Sequence, residues 1–357
     1  MLDQLKSTYQ GKKVFLTGHT GFKGSWMLLL LKELGATVKG YALAPKTDQD
    51  LYLLIQGDTL CESVIADIRD NERLSKEMAA FQPDFVFHMA AQALVIDSYE
   101  NPVETYSINV MGTAHVLDAL RFIDKMVHTV IITTDKVYEN QERTTPYKEE
   151  DRLGGYDPYS NSKACTELVT DSFRLSFFNP ANYEQHQKWV ATARSGNVIG
   201  GGDWSENRIV PDIVRALQTD NPITVRNPAA VRPWQHVLEP IGGYLLLGAQ
   251  LAKNGQIAAD SFNFGPIPED ELTVRELVEI AIQSWGSGTF ETPDIANKRH
   301  EAGLLKLDIQ KAANVLGWVP QMNSGQAIDL TIDWYKTYAK DPQKVTLDQI
   351  KAYFNMA

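Results

Sequence analysis

An α/β fold, a doubly wound parallel sheet with a smaller C-terminal lobe, is predicted by three features of the sequence. Short apolar runs alternate with helical stretches through the first two thirds of the chain. The first apolar run ends in a turn whose glycines are spaced three apart, and the turn opens straight into a helical stretch. Beyond Gly196 the character changes, and Gly, Asn, Pro, Arg and Trp become dense between Asn197 and His236.

Each element follows from its local pattern. Val14–Thr17 is an apolar run stopped by Gly18, and Ser25–Leu34 reads as a buried helix ended by Gly35. Thr37–Leu43 predicts a second strand, Ser63–Ile65 a third followed by a helix over Glu72–Ala80, and Phe85–His88 a fourth. A long helix over Pro102–Arg121 leads to a fifth strand, Thr129–Thr133, and a helix over Tyr159–Phe173 leads to a sixth, Trp189–Arg194. Strands alternating with helices in this way require right-handed crossovers and a parallel sheet covered on both faces. The stretch after Gly196 is expected to be mostly loop around a helix at Ile209–Gln218, and so suited to a substrate lobe. A strand at Ser261–Phe264 is expected to return to the sheet, ahead of helices at Val274–Trp285 and Ile309–Leu316.

A chain of 357 residues can bury a core without disulfide support, and its formal net charge is −11. That balance makes a poor general binder of nucleic acid or anionic membrane, so any phosphate must be held in a local pocket. Cys61 and Cys165 lie far apart in no metal-ligand spacing and read as reduced thiols; no metal site is expected. No apolar run precedes Val14, and the longest, Trp26–Leu31, is too short to span a bilayer. Neither a signal peptide nor a membrane segment is expected, and the expected location is the cytoplasm.

Gly18-His19-Thr20-Gly21-Phe22-Lys23-Gly24 joins the first strand to the first helix. Glycine lets a backbone turn sharply and approach a pyrophosphate, and a helix N-terminus offers free N–H groups at the positive end of its dipole. A glycine triplet alone is a weak signal. In this βα context it points to a dinucleotide held by Gly18, Thr20, Gly21, Phe22 and Gly24. The second strand ends Gly40-Tyr41-Ala42-Leu43-Ala44-Pro45-Lys46, with no carboxylate to mark a ribose 2′-hydroxyl. Lys46 suits a 2′-phosphate or plain solvent, so this strand leaves NAD and NADP both open. After the third strand, Asp67 is placed to accept from an adenine amino group and Ile68 to pack on the ring, while Asp70 serves as readily as a helix N-cap.

Tyr159-Ser160-Asn161-Ser162-Lys163 puts a phenol and an ammonium four residues apart on one helix face. A lysine one turn away, with a nicotinamide cation nearby, is expected to lower the phenol pKa. The tyrosinate then takes a proton from a sugar hydroxyl as hydride leaves the same carbon.

These motifs occur in a fixed order with His88-Met89-Ala90-Ala91 after the fourth strand, Asn109 in the next helix and Thr133-Thr134-Asp135 closing the fifth strand. Over nearly its whole length the chain resembles the extended short-chain dehydrogenases/reductases. The resemblance implies a Rossmann-type fold in which residues 1–195 mainly bind NAD and residues 196–357 mainly bind a nucleotide sugar. It implies that Thr134 hydrogen-bonds the sugar 4-hydroxyl, Tyr159 is the base and Lys163 holds the nicotinamide ribose. Asn109 would support the proton relay, with Ala90 and Ala91 lining the cofactor. Thr134-Asp135-Lys136 resembles the nucleotide-sugar dehydratase branch, whose members carry Asp here, usually followed by Glu, as acid and base for loss of water across C5 and C6. Lys136 stands where that Glu is expected. A lysine acts as a base only when burial or positive neighbours push its pKa down; otherwise Lys136 pairs with Asp135, or another group takes the C5 proton. Asp135 by itself is also able to cap the turn after its strand.

Thr192 to Trp204 resembles the dehydratase segment in which Asn197 contacts the substrate diphosphate. Arg208, Arg226 and Arg232 follow near Trp204 and Trp234. Planar guanidinium forks suit a diphosphate, although each arginine alone is compatible with a surface ion pair. His236 reads as structural, because Tyr159 already fills the role of base. Thr134-Asp135-Lys136, Gly40 to Pro45 and Arg194 to Trp204 together are most similar to the dehydratases of CDP-glucose, which supply dideoxyhexoses for bacterial surface polysaccharides and hold NAD tightly. That resemblance, not the second strand, selects NAD; no residue reads cytosine by itself.

The implied partners are a nucleotide sugar and further copies of the chain, as a homodimer or homotetramer, with no nucleic acid. The Pro102–Arg121 and Tyr159–Phe173 helices are expected to form the interface through Val110, Ala114, Val116 and Leu117, and Cys165, Leu168, Val169 and Phe173. Two other readings stand beside this one. One is a dehydratase or 4-epimerase of a dTDP-, GDP- or UDP-sugar. The other is a non-catalytic dinucleotide sensor, which would have no need to keep Thr134, Tyr159 and Lys163.

Overall fold

The apolar runs of the first half form strands β1 (Lys13–Thr17), β2 (Thr37–Ala42), β3 (Glu62–Ile65), β4 (Phe85–His88), β5 (Val127–Ile132) and β6 (Lys188–Ser195) in the computed structural model, which describes residues 1–267, 269–293 and 304–356. Four short strands follow, β7 (Asn197–Ile199), β8 (Ile223–Thr224), β9 (Val231–Arg232) and β10 (Trp234–His236). Then come β11 (Ser261–Phe264), β12 (Leu272–Thr273) and β13 (Phe290–Glu291).

β1 to β6 and β11 make one seven-stranded sheet in the order β3-β2-β1-β4-β5-β6-β11, parallel at every pairing. From β1 the chain winds outward to β3 and then crosses back to β4. The loops leaving β1 and β4 therefore part in opposite directions, and a crevice opens at the carboxyl ends of these strands. The short strands pair among themselves as β7 with β10, β9 with β12 and β8 with β13.

Every residue of β4, β5 and β6 is buried, as a sheet covered on both faces requires. Successive side chains alternate between the two layers. Phe15, Val86, Ile131 and Val190 face the helices Asn71–Phe81 and Gly112–Leu120, meeting Leu74, Met78, Val116 and Leu120. Val14, Leu16, Phe87 and Val130 face the other layer. That layer contains the glycine-loop helix Phe22–Glu33, buried from Gly24 to Leu31, and the helix Leu238–Ala258.

Leu238–Ala258 is the largest element that local pattern does not reveal. Pro240 and four glycines interrupt its sequence, and its burial on most sides leaves no polar stripe to mark a period. Two of those glycines set its distance from the sheet. A Cβ at Gly243 would lie 2.4 Å from the Phe264 ring, and one at Gly255 would lie 2.2 Å from Trp189. Residues beyond 196 thus supply both an edge strand and a covering helix of the main sheet.

The helix expected over Pro102–Arg121 is continuous but not uniform. An α segment, Pro102–Tyr106, passes into a π turn, Ser107–Met111, and back to α at Gly112–Leu120. None of the described helices is long and apolar enough to cross a membrane.

Candidate active site

The glycine loop begins where β1 ends. Gly18 takes φ +75°, and a Cβ there would lie 2.7 Å from Ala90 N. A Cβ at Gly24 would lie 2.0 Å from Gly18 O, so the helix starts directly against the turn. Gly21 is exposed at the N-cap, and no side chain caps the helix. Its first N–H groups are left for an anion, which fits the diphosphate of a dinucleotide. Thr20 Oγ1 donates to Leu43 O at 2.8 Å and ties the loop to the end of β2. Phe22 is half-buried beside Gly200. Met89 N and Ala90 N both donate to Thr17 Oγ1 at 3.1 Å, which leaves Ala90 and Ala91 at the rim of the crevice.

Asp67 and Ile68 are less free than the sequence suggests. Arg69 grips the Asp67 carboxylate through Nε at 3.0 Å and Nη2 at 2.5 Å, and this hydrogen bonding holds the Asp67 pKa below its ordinary value. Ile68 is buried against Gly112, where a Cβ would lie 2.8 Å from Ile68 Cγ2.

Asn109 lies in the π turn and is 1% exposed. Its Oδ1 accepts from Gln92 N at 2.9 Å, and its Nδ2 donates to Gln92 O at 3.0 Å and Ser162 Oγ at 2.8 Å. The amide therefore clamps the loop after β4 to the helix that carries Tyr159.

That catalytic helix, Pro158–Ser176, starts with Pro158 at its first position and Asp157 as N-cap, accepting from Ser160 N at 2.9 Å. Tyr159, Lys163 and Glu167 then follow at intervals of four along one face. Lys163 Nζ donates to Ile132 O at the end of β5 at 3.1 Å. Burial pushes the Lys163 pKa down to about 8, against the pull of Glu167. Glu167 is fully buried and accepts from Thr133 Oγ1 at 2.5 Å, Thr192 Oγ1 at 2.7 Å and Arg194 Nη2 at 2.9 Å. Burial alone would raise its pKa, but Arg194 and the two threonines bring it below the ordinary value.

Burial raises the pKa of the Tyr159 phenol, opposed by Lys136, by a hydrogen bond with Thr134 and by Arg208. Lys163, the group expected to lower it, is turned to the β5 carbonyl, and burial outweighs the other cations.

Thr134, Asp135 and Lys136 lie together at the end of β5. Thr134 Oγ1 donates to Asp135 Oδ1 at 2.9 Å, and Lys136 Nζ donates to the same oxygen at 2.9 Å and to Asn197 Oδ1 at 3.0 Å. Asp135 is buried and Lys136 is half-buried. Arg208 pairs with Asp203 at 2.9 Å, and its charge acts on both Tyr159 and Lys23.

The structure thus gathers Thr134, Asp135, Lys136, Tyr159, Lys163, Asn197 and Arg208 in one centre. Arg226 is set further out and donates to Asn207 Oδ1 at 3.1 Å, beside Arg208. Arg232 donates to Val231 O at 2.9 Å and lines a small cavity with Pro266, Ile267 and Leu305. His236 is buried edge-on to Trp26, and burial pushes its pKa down to about 3, so it is neutral and part of the core.

Three residues with no role in the sequence reading join the centre. Lys23 Nζ comes within 3.5 Å of Ser195 Oγ and of Tyr244 OH, and Tyr244 OH donates to Ser195 Oγ at 2.7 Å. Among the described residues, no group of three or more His, Cys, Asp or Glu side chains is placed to hold a metal ion.

A doubly wound sheet whose glycine loop faces a Tyr-x-x-x-Lys helix defines an extended short-chain dehydrogenase/reductase, and Asp135 beside Thr134 sets it in the nucleotide-sugar dehydratase branch. Residues 15–331 match the family model described as GDP-mannose 4,6 dehydratase, and the chain belongs to that family. It is 49% identical over 335 residues to the CDP-glucose 4,6-dehydratase of Salmonella typhimurium, covering 94% of this chain and 93% of that one. It is 30% identical to the dTDP-glucose 4,6-dehydratase of Streptomyces antibioticus, over 90% of this chain and 92% of that one. Among solved structures, an epimerase from Methanothermobacter thermautotrophicus superposes with a TM-score of 0.78 at 22% identity, covering 96% of this chain and 97% of that one. The dTDP-glucose 4,6-dehydratase DesIV from Streptomyces venezuelae, solved with NAD, gives 0.77 at 24% identity, covering 91% and 97%. These two superpositions establish the fold.

Proposed function

We propose that the protein dehydrates CDP-D-glucose to CDP-4-keto-6-deoxy-D-glucose and water, using bound NAD. The observation that carries the reaction type is Asp135, buried between Thr134 and Lys136 beside the base Tyr159. An epimerase needs only the oxidation machinery; a dehydratase also needs an acid for the departing hydroxyl. The choice of CDP-glucose rests on the 49% identity to the Salmonella typhimurium enzyme.

Bound NAD would supply the hydride acceptor for sugar C4 and the hydride donor for C6. Gly18, Gly21 and Gly24 with the uncapped helix would hold its diphosphate, and Lys163 its nicotinamide ribose. Thr134 holds the sugar 4-hydroxyl and Tyr159 takes its proton. The hydrogen-bonded pair of Asp135 and Lys136, 2.9 Å apart, would give one proton to the 6-hydroxyl, which leaves as water, and take up the C5 proton in exchange, with Asp135 as the acid and Lys136 as the base. The C5 proton returns from Lys136 as hydride reaches C6.

Asn197 and Arg208 would meet the substrate diphosphate, with Arg226 and Arg232 further along the nucleotide. Residues 1–195 mainly serve the dinucleotide and residues 196–357 mainly the nucleotide sugar. The test is incubation of the purified protein with CDP-, dTDP-, UDP- and GDP-sugars, followed by the alkaline absorbance of a 4-keto-6-deoxy sugar. CDP-glucose should give the signal; equal or faster turnover of another nucleotide sugar would replace it as the substrate.

A further inference from the structure

Lys23 belongs to the glycine loop by sequence but reaches the catalytic centre with its charge. It is the second residue of the loop helix, on the turn that faces the cofactor diphosphate in the reading above. Its Nζ lies at 3.5 Å from Ser195 Oγ and from Tyr244 OH, and 5.7 Å from the centre of the Tyr244 ring. Those hydroxyl distances are long, so neither contact is a strong partner for an ammonium.

The charged groups around Lys23 come from each element that closes on it. Lys163 projects from the catalytic helix, Arg208 from the head of the helix Ile209–Gln218, and Asp135 and Lys136 from the end of β5. Three of these four are cations, and the carboxylate is already engaged by Lys136. Burial, with the repulsion of these cations, pushes the Lys23 pKa down to about 7. An anion arriving at the loop, such as a diphosphate, draws it back toward the ammonium. Ser195, which Lys23 Nζ approaches, ends β6 directly beside the end of β5, where Lys163 Nζ donates to Ile132 O, so the Lys23 charge lies at the end of the cleft where the ribose and nicotinamide are read to lie.

We propose that Lys23 is a positioning residue for hydride transfer, placing a positive charge where it favours the uncharged reduced nicotinamide over the cationic oxidised one. The inference rests on the dinucleotide reading above. When hydride leaves sugar C4 and the hydroxyl proton passes to Tyr159, the acceptor ring loses its positive charge, and the repulsion with Lys23 is relieved. The first half-reaction is favoured, and the return of hydride to C6 is held back by the same amount. A lysine that only gripped the diphosphate would strengthen both redox forms alike, since both carry that group.

The test is calorimetric titration of the wild-type protein and of Lys23→Met and Lys23→Arg with NAD and with NADH. In the wild type the ratio of Kd for NAD to Kd for NADH should exceed that of Lys23→Met on the order of tenfold, the effect of one charge at short range in a partly shielded site. Lys23→Arg should keep the wild-type ratio. A ratio unchanged in Lys23→Met, whether both constants stay or rise together, overturns the proposal. If Lys23→Met fails to fold, Lys23→Gln carries the same test, and an unchanged ratio in that variant overturns the proposal equally. Failure of the folded wild type to bind either dinucleotide overturns the dinucleotide reading instead.

Discussion

Lys136 Nζ and Asp135 Oδ1 are 2.9 Å apart, so the acid and the base proposed for water loss are the two ends of one hydrogen bond. The usual glutamate at the second position would repel its neighbour when both are ionised. A lysine there instead pairs with the carboxylate. The same ammonium also opposes the burial of the Tyr159 phenol.

Lys136→Met should slow C4 oxidation without abolishing it, because the ammonium also favours the Tyr159 phenolate, and should abolish exchange of the C5 proton with solvent deuterium, read by mass spectrometry of the sugar. Lys136→Glu restores the commoner pair and should retain some elimination. Full C5 exchange with normal turnover in Lys136→Met would take the lysine out of the mechanism.

Asp135→Asn should separate the two half-reactions. Reduced dinucleotide should build up on the protein after CDP-glucose is added, visible in its near-ultraviolet absorbance. Product formation should fall by roughly 10²–10⁴-fold, the range for loss of one general acid. Tyr159→Phe, in contrast, should block both the absorbance and the product. Normal product with no build-up in Asp135→Asn would make this carboxylate a turn cap only.

Glu167→Gln should cost about 3–5 kcal/mol of stability, because it leaves Arg194 buried without its counter-charge. A urea midpoint within error of the wild type would contradict this. The pH dependence has a definite sign. The folded-state pKa of Glu167 is below the ordinary value, so its contribution is complete above the unfolded-state pKa and is lost as pH falls through the folded one. The wild type should therefore shed this stability on acidification, and Glu167→Gln should lack that acid-dependent part.

Sedimentation at micromolar concentration should show at least a dimer. Val103, Met111, Leu168 and Leu175 stand exposed on the two helical rods, at 81%, 50%, 56% and 69% of their full area. Leu168→Asp combined with Met111→Asp should shift the protein toward monomer. A wild type that sediments only as monomer would refute the interface.

The parts of this site that depend on neighbours in sequence were legible in the chain. The glycine loop and the Tyr159 and Lys163 pair are such parts, because one turn or one helix face fixes their geometry. Lys23 was not legible, since its contacts lie on Ser195 and Tyr244, far along the chain. Asp67 carries a partner that its motif does not show: Arg69, two residues on, folds back onto its carboxylate. Val116 and Leu117, read as surplus apolar positions for a partner, are fully buried in the chain's own core, whereas Val103 and Leu175 are free. Apolar periodicity marks a hydrophobic face but not whether a sheet or a second subunit covers it. The π turn at Ser107–Met111 left no sequence signature, because its widening is a property of backbone register.

That turn gives the crevice a common peg. Asn109 holds the backbone of Gln92 with both ends of its amide and Ser162 with its nitrogen, and Ser162 Oγ in turn donates to Tyr159 O at 2.7 Å. A ligand that presses on the loop after β4 therefore presses on the base as well. Asn109 is thus one of the gauges of the spacing between the cofactor wall and the helix of Tyr159, so a shorter or longer residue there would strain that span without touching either reacting group.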